Sequence, residues 1–199
     1  MKKITDATTF RKANKEVHSI FVKRWSPRAM SGEKVNKEEL EVILDAARWA
    51  PSSYNEQEWR YLYAESGSKE WETFFNLLVE GNKVWCDKAS HLFCLVSKDT
   101  FTLDNSPNAV ASLDCGASMQ NFLLQTAELG LVGHAMGGFD WEAAKEKLEI
   151  PDGYSVQAMI ALGRAGELSE LPEELAKIEK PTSRKAIEEI ATHGKFSFS

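Results

Sequence analysis

Apolar residues recur three and four positions apart in several stretches of the chain, the spacing of one face of an α-helix. In the clearest stretch, residues 37–50, Asn36 and Glu39 predict a capping box at the start. Pro51 ends this helix, because proline cannot donate the hydrogen bond that would continue it. Similar spacing predicts further helices over residues 6–21, 69–81, 109–129, 141–150 and 183–191.

Polar residues and glycines at the ends of these stretches predict where the helices begin and stop. Asp6 and Asp140 are suited to cap the helices that follow them, since a carboxylate can accept from the first free backbone N–H groups. The first helix is expected to end before Pro27, and Gly81 to end the helix over residues 69–81.

Four short apolar or aromatic runs predict β-strands: residues 59–64, 91–98, 131–136 and 156–163. The third run breaks at two successive glycines. Helices and strands alternate along the chain, which predicts an α+β fold with a sheet flanked by helices. The length of 199 residues favours a single domain over residues 1–199.

Composition excludes several classes of protein. The net charge of −6 argues against nonspecific binding of nucleic acid or anionic membrane, which requires clustered lysine and arginine. Neither a long apolar run nor a signal peptide is visible, so we expect a cytoplasmic protein. Cys86, Cys94 and Cys115 lack CxxC spacing and are expected to be reduced.

Common catalytic motifs are missing from the sequence. The four histidines lack metal-binding spacing, and no GxSxG, P-loop or GxGxxG motif is present. What remains is a series of polar loop segments, each of which alone is explained by turns, caps and solvated surface. These segments are residues 24–28, 51–57, 81–83, 135–140 and 182–185.

Taken in order, the segments resemble the pattern of the nitroreductase family, from about Arg24 to Phe196. The most specific match is APSSYNEQEW at residues 50–59, and the second is GGFD with the following IPDGYSVQAMIALGRAGE. The resemblance implies a nitroreductase-like fold with a central mixed or antiparallel sheet. It also implies an intertwined homodimer that binds FMN in a cleft between its subunits.

The resemblance further implies which residues bind the phosphate and ribityl groups of FMN. Arg24, Ser26 and Arg28 match the family's first phosphate and ribityl cluster, and Trp25 supplies backbone contacts. Arg184 matches the basic residue that completes the phosphate site. Arginine suits this role because its planar fork donates two parallel hydrogen bonds to an anion.

A second set of implied contacts comes from the loop that follows the clearest predicted helix. In the family this loop reaches the flavin bound to the partner subunit. The matching residues are Pro51, Ser52, Ser53 and Asn55, with Gln57 close by.

A third set is implied at the flavin ring. Asn82 matches an amide near the pyrimidine side, and Met136, Gly137 and Gly138 match a loop whose backbone approaches the hydride-accepting N5. Two positions depart from the family pattern. Glu58 stands where the family commonly has proline, which would loosen the turn. Gly137 stands where several members carry an acidic residue beside the ring, so substrate and nicotinamide preference do not carry over from classical nitroaromatic reductases.

By this resemblance, the protein is an FMN-dependent oxidoreductase that takes hydride from NADH or NADPH. It would reduce small electrophilic acceptors such as nitroaromatics, quinones or enals in a ping-pong cycle. No catalytic side chain and no metal is expected, because the cofactor carries the chemistry. Two alternatives stay open: a dehalogenase or flavin-fragmenting enzyme of the same fold, and a non-catalytic flavin-binding or interaction protein.

Overall fold

A four-stranded sheet forms the centre of the protein. The computed structural model describes residues 6–13 and 15–198, and its strands lie in the order β1-β2-β4-β3. Every neighbouring pair is antiparallel, and all four predicted strands are confirmed. The strands are β1 (Trp59–Glu65), β2 (His91–Lys98), β3 (Leu131–Met136) and β4 (Tyr154–Arg164).

Helices connect the strands and cover the sheet. α5 is the longest helix, as the apolar run over residues 109–129 predicts. No helix in the described ranges is both long and apolar enough to cross a membrane. The helices of these ranges are α1 (Ser19–Lys23), α2 (Lys37–Ala47), α3 (Trp71–Leu77), α4 (Glu80–Cys86), α5 (Ala111–Glu128), α6 (Trp141–Lys147) and α7 (Glu173–Ile178).

Apolar side chains pack on both faces of the sheet. One core cluster includes Phe74 of α3 and Trp85 of α4, and the other includes Ile43 of α2 and Phe122 of α5. The first seven residues of β2 are all buried, as expected for a central strand with both faces covered. The predicted α+β fold is therefore confirmed.

Two predicted helix starts are confirmed by their side-chain caps. Asn36 accepts from the backbone N–H of Glu39 at 2.9 Å, and the Glu39 carboxylate accepts from the N–H of Asn36 at 3.0 Å. Asp140 accepts from the N–H of Ala143 at 2.9 Å. These contacts satisfy backbone donors that have no partner inside the helix.

The prediction of one helix over residues 6–21 is wrong. A 3₁₀ turn at Ala7–Thr9 and the short helix α1 replace it, and residue 14 lies outside the described ranges. Asp6 does accept from the N–H of Thr8, but this caps only the 3₁₀ turn. Phe10 is 58% exposed and Val17 is 50% exposed, so a continuous helix would have no buried apolar face here.

Gly81 does not end a helix, because the predicted helix over residues 69–81 is two helices. The break falls at Leu78, which is extended and forms a β-bridge with Phe139. Beside it, the N–H of Val79 donates to the carbonyl of Gly138 at 3.1 Å. Gly81 lies inside α4, so contact with the segment after β3 breaks the helix.

The carboxyl-terminal helix was also predicted in the wrong place. Residues 183–191 contain only an exposed 3₁₀ turn at Ile187–Glu189, whereas α7 forms earlier, in a stretch for which no helix was predicted. The apolar residues Ile187 and Ile190 stay exposed, so these side chains gain no packing in the described chain that would stabilise a longer helix there.

Candidate active site

Three arginines from distant parts of the sequence form a cluster, which we call the arginine corner: Arg11, Arg24 and Arg184. Arg24 follows α1 directly and donates to the hydroxyl of Ser26 at 3.3 Å. Burial, together with the charges of Arg11 and Arg184, lowers the pKa of Arg24. Arginine still stays protonated at neutral pH, so the corner concentrates positive charge.

Arg11 holds this corner together. Its guanidinium donates to the carbonyl of Arg24 at 2.8 Å and to that of Thr182 at 2.7 Å, joining the amino-terminal and carboxyl-terminal segments. Arg184 lies two residues beyond Thr182. The sequence reasoning missed Arg11, because it belongs to none of the recognised motifs and lies in a segment predicted to be helical.

The arginine corner has no carboxylate partner within 4.0 Å in the described part of the chain. The arginines that form ion pairs there are Arg28, Arg48 and Arg164. Like charges repel one another, so three guanidinium groups brought together without a counterion favour binding of an anion.

Arg28, in contrast, is engaged within the chain. Its Nη1 lies 3.1 Å from Oε2 of Glu179, whose side chain is completely buried. The other oxygen of Glu179 accepts from the backbone N–H groups of Arg28 and Ala29. The charge of Arg28 is therefore largely neutralised, and Arg24 is the more available of the two arginines in residues 24–28.

A histidine connects residues 24–28 to the sheet. Nδ1 of His134, on β3, lies 3.0 Å from the carbonyl oxygen of Pro27. Burial lowers the pKa of His134 despite the opposing effect of the hydrogen bond to Pro27, and the nearby charge of Arg28 also lowers it, which favours the neutral imidazole. This contact places Trp25 and Ser26 near the end of β3.

The two glycines after β3 lie against α4. Asn82 donates to the carbonyl of Gly138 at 2.8 Å, and a Cβ atom on Gly138 would lie 2.8 Å from the same amide nitrogen. Any larger residue at 138 would therefore displace Asn82. Gly137 is exposed, and a Cβ atom there would meet nothing within 4 Å. The segment from Met136 to Gly138 thus offers open backbone beside an amide side chain.

Residues 51–57, hereafter the 51–57 loop, have an unusual backbone. Tyr54, Asn55 and Gln57 have φ angles of 51°, 57° and 53°, in the left-handed region that costs non-glycine residues of order 1–3 kcal/mol each. Two contacts hold this conformation. Ser53 donates its N–H to Oδ2 of Asp114 at 2.7 Å, and Gln57 donates its N–H to the Ser52 hydroxyl at 3.0 Å.

The sheet separates the predicted site residues into two groups. Residues 24–28 and Met136–Gly138 lie beside the edge strand β3, whereas the 51–57 loop leads into the opposite edge strand, β1. Three strand spacings separate these edges, a distance of about 14 Å. Ser53 and Glu56 of this loop contact α5 and the segment after β2 instead.

Comparison with known proteins identifies the class to which this fold belongs. A solved structure described as an oxidoreductase containing FMN superposes with a TM-score of 0.91, at 41% identity. The superposition covers 95% of this chain and 97% of that one. The family model described as the nitroreductase family matches residues 21–93 and 65–164. The chain belongs to the nitroreductase family.

Two curated proteins are similar to this chain in sequence. An uncharacterized 15.4 kDa protein of Mycolicibacterium smegmatis is 31% identical over 134 residues, which cover 67% of this chain and 88% of that protein. A protein of Archaeoglobus fulgidus, provisionally named NADH dehydrogenase/NAD(P)H nitroreductase, is 29% identical over 153 residues. That match covers 72% of this chain and 82% of the relative.

Proposed function

We propose that the protein is an FMN-dependent oxidoreductase that takes hydride from NADH or NADPH and reduces small electrophilic acceptors. Nitroaromatics, quinones and enals are the acceptor classes we expect. The observation that carries the proposal is the arginine corner, a set of three guanidinium groups without a carboxylate partner in the described ranges. Family membership and the FMN-containing neighbour of 41% identity support it.

The donor groups fit the phosphate of FMN. A terminal phosphate monoester is a dianion with three acceptor oxygens, and arginine forks bind such groups by short charge-assisted hydrogen bonds. Arg24 is the central ligand in this proposal, since its burial removes competing water. Arg184 completes the site from the carboxyl-terminal segment, and Arg28 contributes less because Glu179 already holds it.

Groups beside β3 fit the rest of the cofactor. The hydroxyl of Ser26 and the backbone of Trp25 suit the ribityl chain, whose hydroxyls both donate and accept. Gly137 and Gly138 let the flat ring approach the backbone closely, and Asn82 is positioned beside them by its bond to Gly138.

The 51–57 loop of a second copy completes the site in this proposal. One chain carries the loop and the β3 groups on opposite sheet edges, so two chains in an intertwined homodimer would bring them together. Large apolar side chains available for such an interface include Trp49, Phe21 and Leu113, which are 71%, 59% and 72% exposed. Pro51, Ser52, Ser53, Asn55 and Gln57 are the contacts we assign to the partner's cofactor.

In this proposal the protein chain binds and orients the cofactor and the substrates. When bound, FMN supplies hydride transfer between the nicotinamide and the second substrate. We assign no acid, base or nucleophile to a side chain in this proposal. His134 is held by the Pro27 carbonyl, and burial raises the pKa of Cys115 to about 12.

Chromatography of the chromophore released on denaturation tests the cofactor assignment. We expect FMN and not FAD, because the arginine corner suits a terminal phosphate. Sedimentation at micromolar concentration should show a dimer. A colourless protein that does not take up added FMN would refute the proposal, and a stable monomer that holds FMN tightly would refute its dimeric form.

Oxidation of NADH and NADPH, with and without a quinone or a nitroaromatic, tests turnover. Flavin reduction by stopped flow on FMN-loaded variants tests the absence of a catalytic side chain. His134→Ala, Cys115→Ala and Ser53→Ala should each stay within about a hundredfold of the parent, below the upper contribution of a general acid or base. Loss of flavin reduction in a folded variant that retains FMN would contradict this assignment.

A further inference from the structure

Glu58 is a carboxyl group enclosed in the protein directly after the 51–57 loop. Its side chain has no exposed surface, and its Oε1 accepts from the amide of Asn108 at 3.0 Å. Its Oε2 is also buried and has no hydrogen-bond partner among the described residues. A buried carboxylate without a cation is unfavourable, so such a group retains its proton.

Asp114, in the first turn of α5, is the neighbouring carboxyl group that acts on Glu58. Burial raises the pKa of Glu58, and the adjacent Asp114 carboxyl raises it further. Asp114 is also the acceptor for the N–H of Ser53 in the 51–57 loop, at 2.7 Å. Two carboxylates at close range cannot both ionise easily, because like charges repel in a poorly solvated site.

The other charged groups around this pair are already engaged. The ammonium of Lys98 lies 2.9 Å from Glu56, and the guanidinium of Arg60 donates to two backbone carbonyls at 2.8 Å. Asp99, at the end of β2, accepts from two serine hydroxyls. The thiol of Cys115 on α5 is buried and neutral. In the described chain, no cation within 4.0 Å neutralises Glu58 or Asp114.

We propose that Glu58 and Asp114 share one proton and that this pair positions the 51–57 loop. Glu58 donates the proton from Oε2, and Asp114 accepts both that proton and the N–H of Ser53. The pair then carries a single negative charge and satisfies the buried oxygen. Its role toward the cofactor rests on the proposed function, in which this loop contacts FMN.

Removal of the proton shared by Glu58 and Asp114 should change the conformation of the 51–57 loop. Two ionised carboxylates would repel each other, and displacement of Asp114 would remove the acceptor for Ser53. The backbone beyond Ser53 is strained at Tyr54, Asn55 and Gln57, so it would relax once this contact is lost. FMN affinity should therefore fall as the pH rises.

The same proton affects folding stability. A carboxyl group whose pKa is raised in the folded state holds its proton more tightly there than in the unfolded chain. The contribution of Glu58 to stability is then greatest below its unfolded pKa, near 4.5, and is lost as the pH rises toward and through the folded pKa.

Glu58→Gln keeps the shape of the side chain but removes its ability to ionise. The amide can donate to Asp114 and accept from Asn108, but it cannot ionise. In thermal unfolding of the FMN-free protein between pH 5 and 9, we expect the parent to lose stability with pH relative to the variant. At pH 8 the variant should melt about 2–4 °C higher. Glu33→Gln, at an exposed site, should follow the parent.

Carboxyl ¹³C NMR of the glutamate-labelled FMN-free protein measures the protonation state of Glu58 directly. One resonance should titrate at higher pH than those of the exposed glutamates, vanish in Glu58→Gln, and shift to lower pH in Asp114→Asn, which removes the opposing charge. The proposal is overturned if no glutamate titrates at higher pH than the exposed glutamates, or if the parent and Glu58→Gln show parallel stability profiles.

FMN titrations test the positioning role. Between pH 6 and 9, the Kd of the parent should rise about fivefold or more relative to that of Glu58→Gln. Parallel pH profiles for the two proteins would overturn this role. Failure of every variant to bind FMN would refute the proposed function instead, and the NMR titration would still decide whether the proton is shared.

Discussion

The arginine corner and the Glu58–Asp114 pair both bring like charges together, but they differ in access to solvent. Arg184 is exposed, and Arg11 and Arg24 are only partly buried, whereas Glu58 has no exposed surface. An accessible excess of charge can be neutralised by a ligand from solution. An enclosed excess must be neutralised inside the protein, and a proton is the smallest group that can do so.

The two regions also differ in how the chain assembles them. Arg11 joins segments near the two ends of the sequence by hydrogen bonds to carbonyl groups. Glu58 and Asp114 instead lie on elements fixed by the sheet and by α5. We therefore expect the arginine corner to depend on its ligand for order, and the carboxyl pair to depend on pH.

The largest effect should come from Arg24→Ala, which tests whether the corner is a phosphate site. Loss of a charge-assisted contact of about 1.5–3 kcal/mol should raise the Kd for FMN by roughly tenfold or more. Turnover should recover substantially with excess FMN. Fluorescence titration measures the Kd, and Lys69→Ala controls for the loss of an exposed charge. Parental affinity in Arg24→Ala would place the phosphate elsewhere.

Arg11→Ala should have the next largest effect, because it removes both charge and the link between the two chain ends. We expect FMN affinity to fall several-fold and amide hydrogen exchange to accelerate around Thr182. Arg11→Lys is the matched variant: it keeps the charge but cannot reach both carbonyls in the same way, so exchange should accelerate with a smaller loss of affinity. Unchanged exchange in both variants would show that Arg11 does not hold the segment.

On the carboxylate side, Glu56 provides a contrast with Glu58 two residues away. Hydrogen bonds from Thr102 and Lys98 lower the pKa of Glu56 to about 2. A lowered folded pKa stabilises the protein above pH 4.5, and this contribution is lost as the pH falls toward 2. Its dependence on pH is therefore opposite in sign to that of Glu58.

Glu56→Gln should lower the melting temperature by about 2–4 °C at pH 7 and flatten its decline between pH 4.5 and 2. Differential scanning calorimetry over this range measures both effects. Glu65→Gln is the control, because its ion pair with Lys34 is far more exposed and should contribute little. Equal losses in the two variants would mean that the enclosed bonds of Glu56 add nothing.

The accuracy of sequence-based prediction differed between the regions for physical reasons. The strands followed from short apolar or aromatic runs and the long helices from the spacing of apolar residues, since β2 is buried along nearly its whole length and α5 buries residues along its whole length. The break at Leu78 could not be foreseen, because it depends on contact with Phe139, 61 positions away. Arg11 and the partner of Arg28 were missed for the same reason: both depend on contacts with the carboxyl-terminal segment.

For the site itself, family motifs indicated the residues but not their charge state. Glu58 was recognised only as a departure from a common proline, and nothing in the sequence shows that Asn108 and Asp114 enclose it. Burial and the absence of a cation decide its protonation, and both are properties of the packed structure.

The smallest signal should come from the thiol of Cys115, which borders the carboxyl pair and should barely react in the native protein. Burial and, to a smaller extent, the neighbouring Asp114 carboxylate raise its pKa to about 12, so almost no thiolate forms at pH 8. The native protein should react with a thiol reagent such as DTNB orders of magnitude more slowly than the protein unfolded in guanidinium chloride. Because Cys86 and Cys94 are equally buried, the native protein should release almost no thionitrobenzoate. Prompt release of one equivalent, lost in Cys115→Ala, would show that the region around Glu58 opens to solvent.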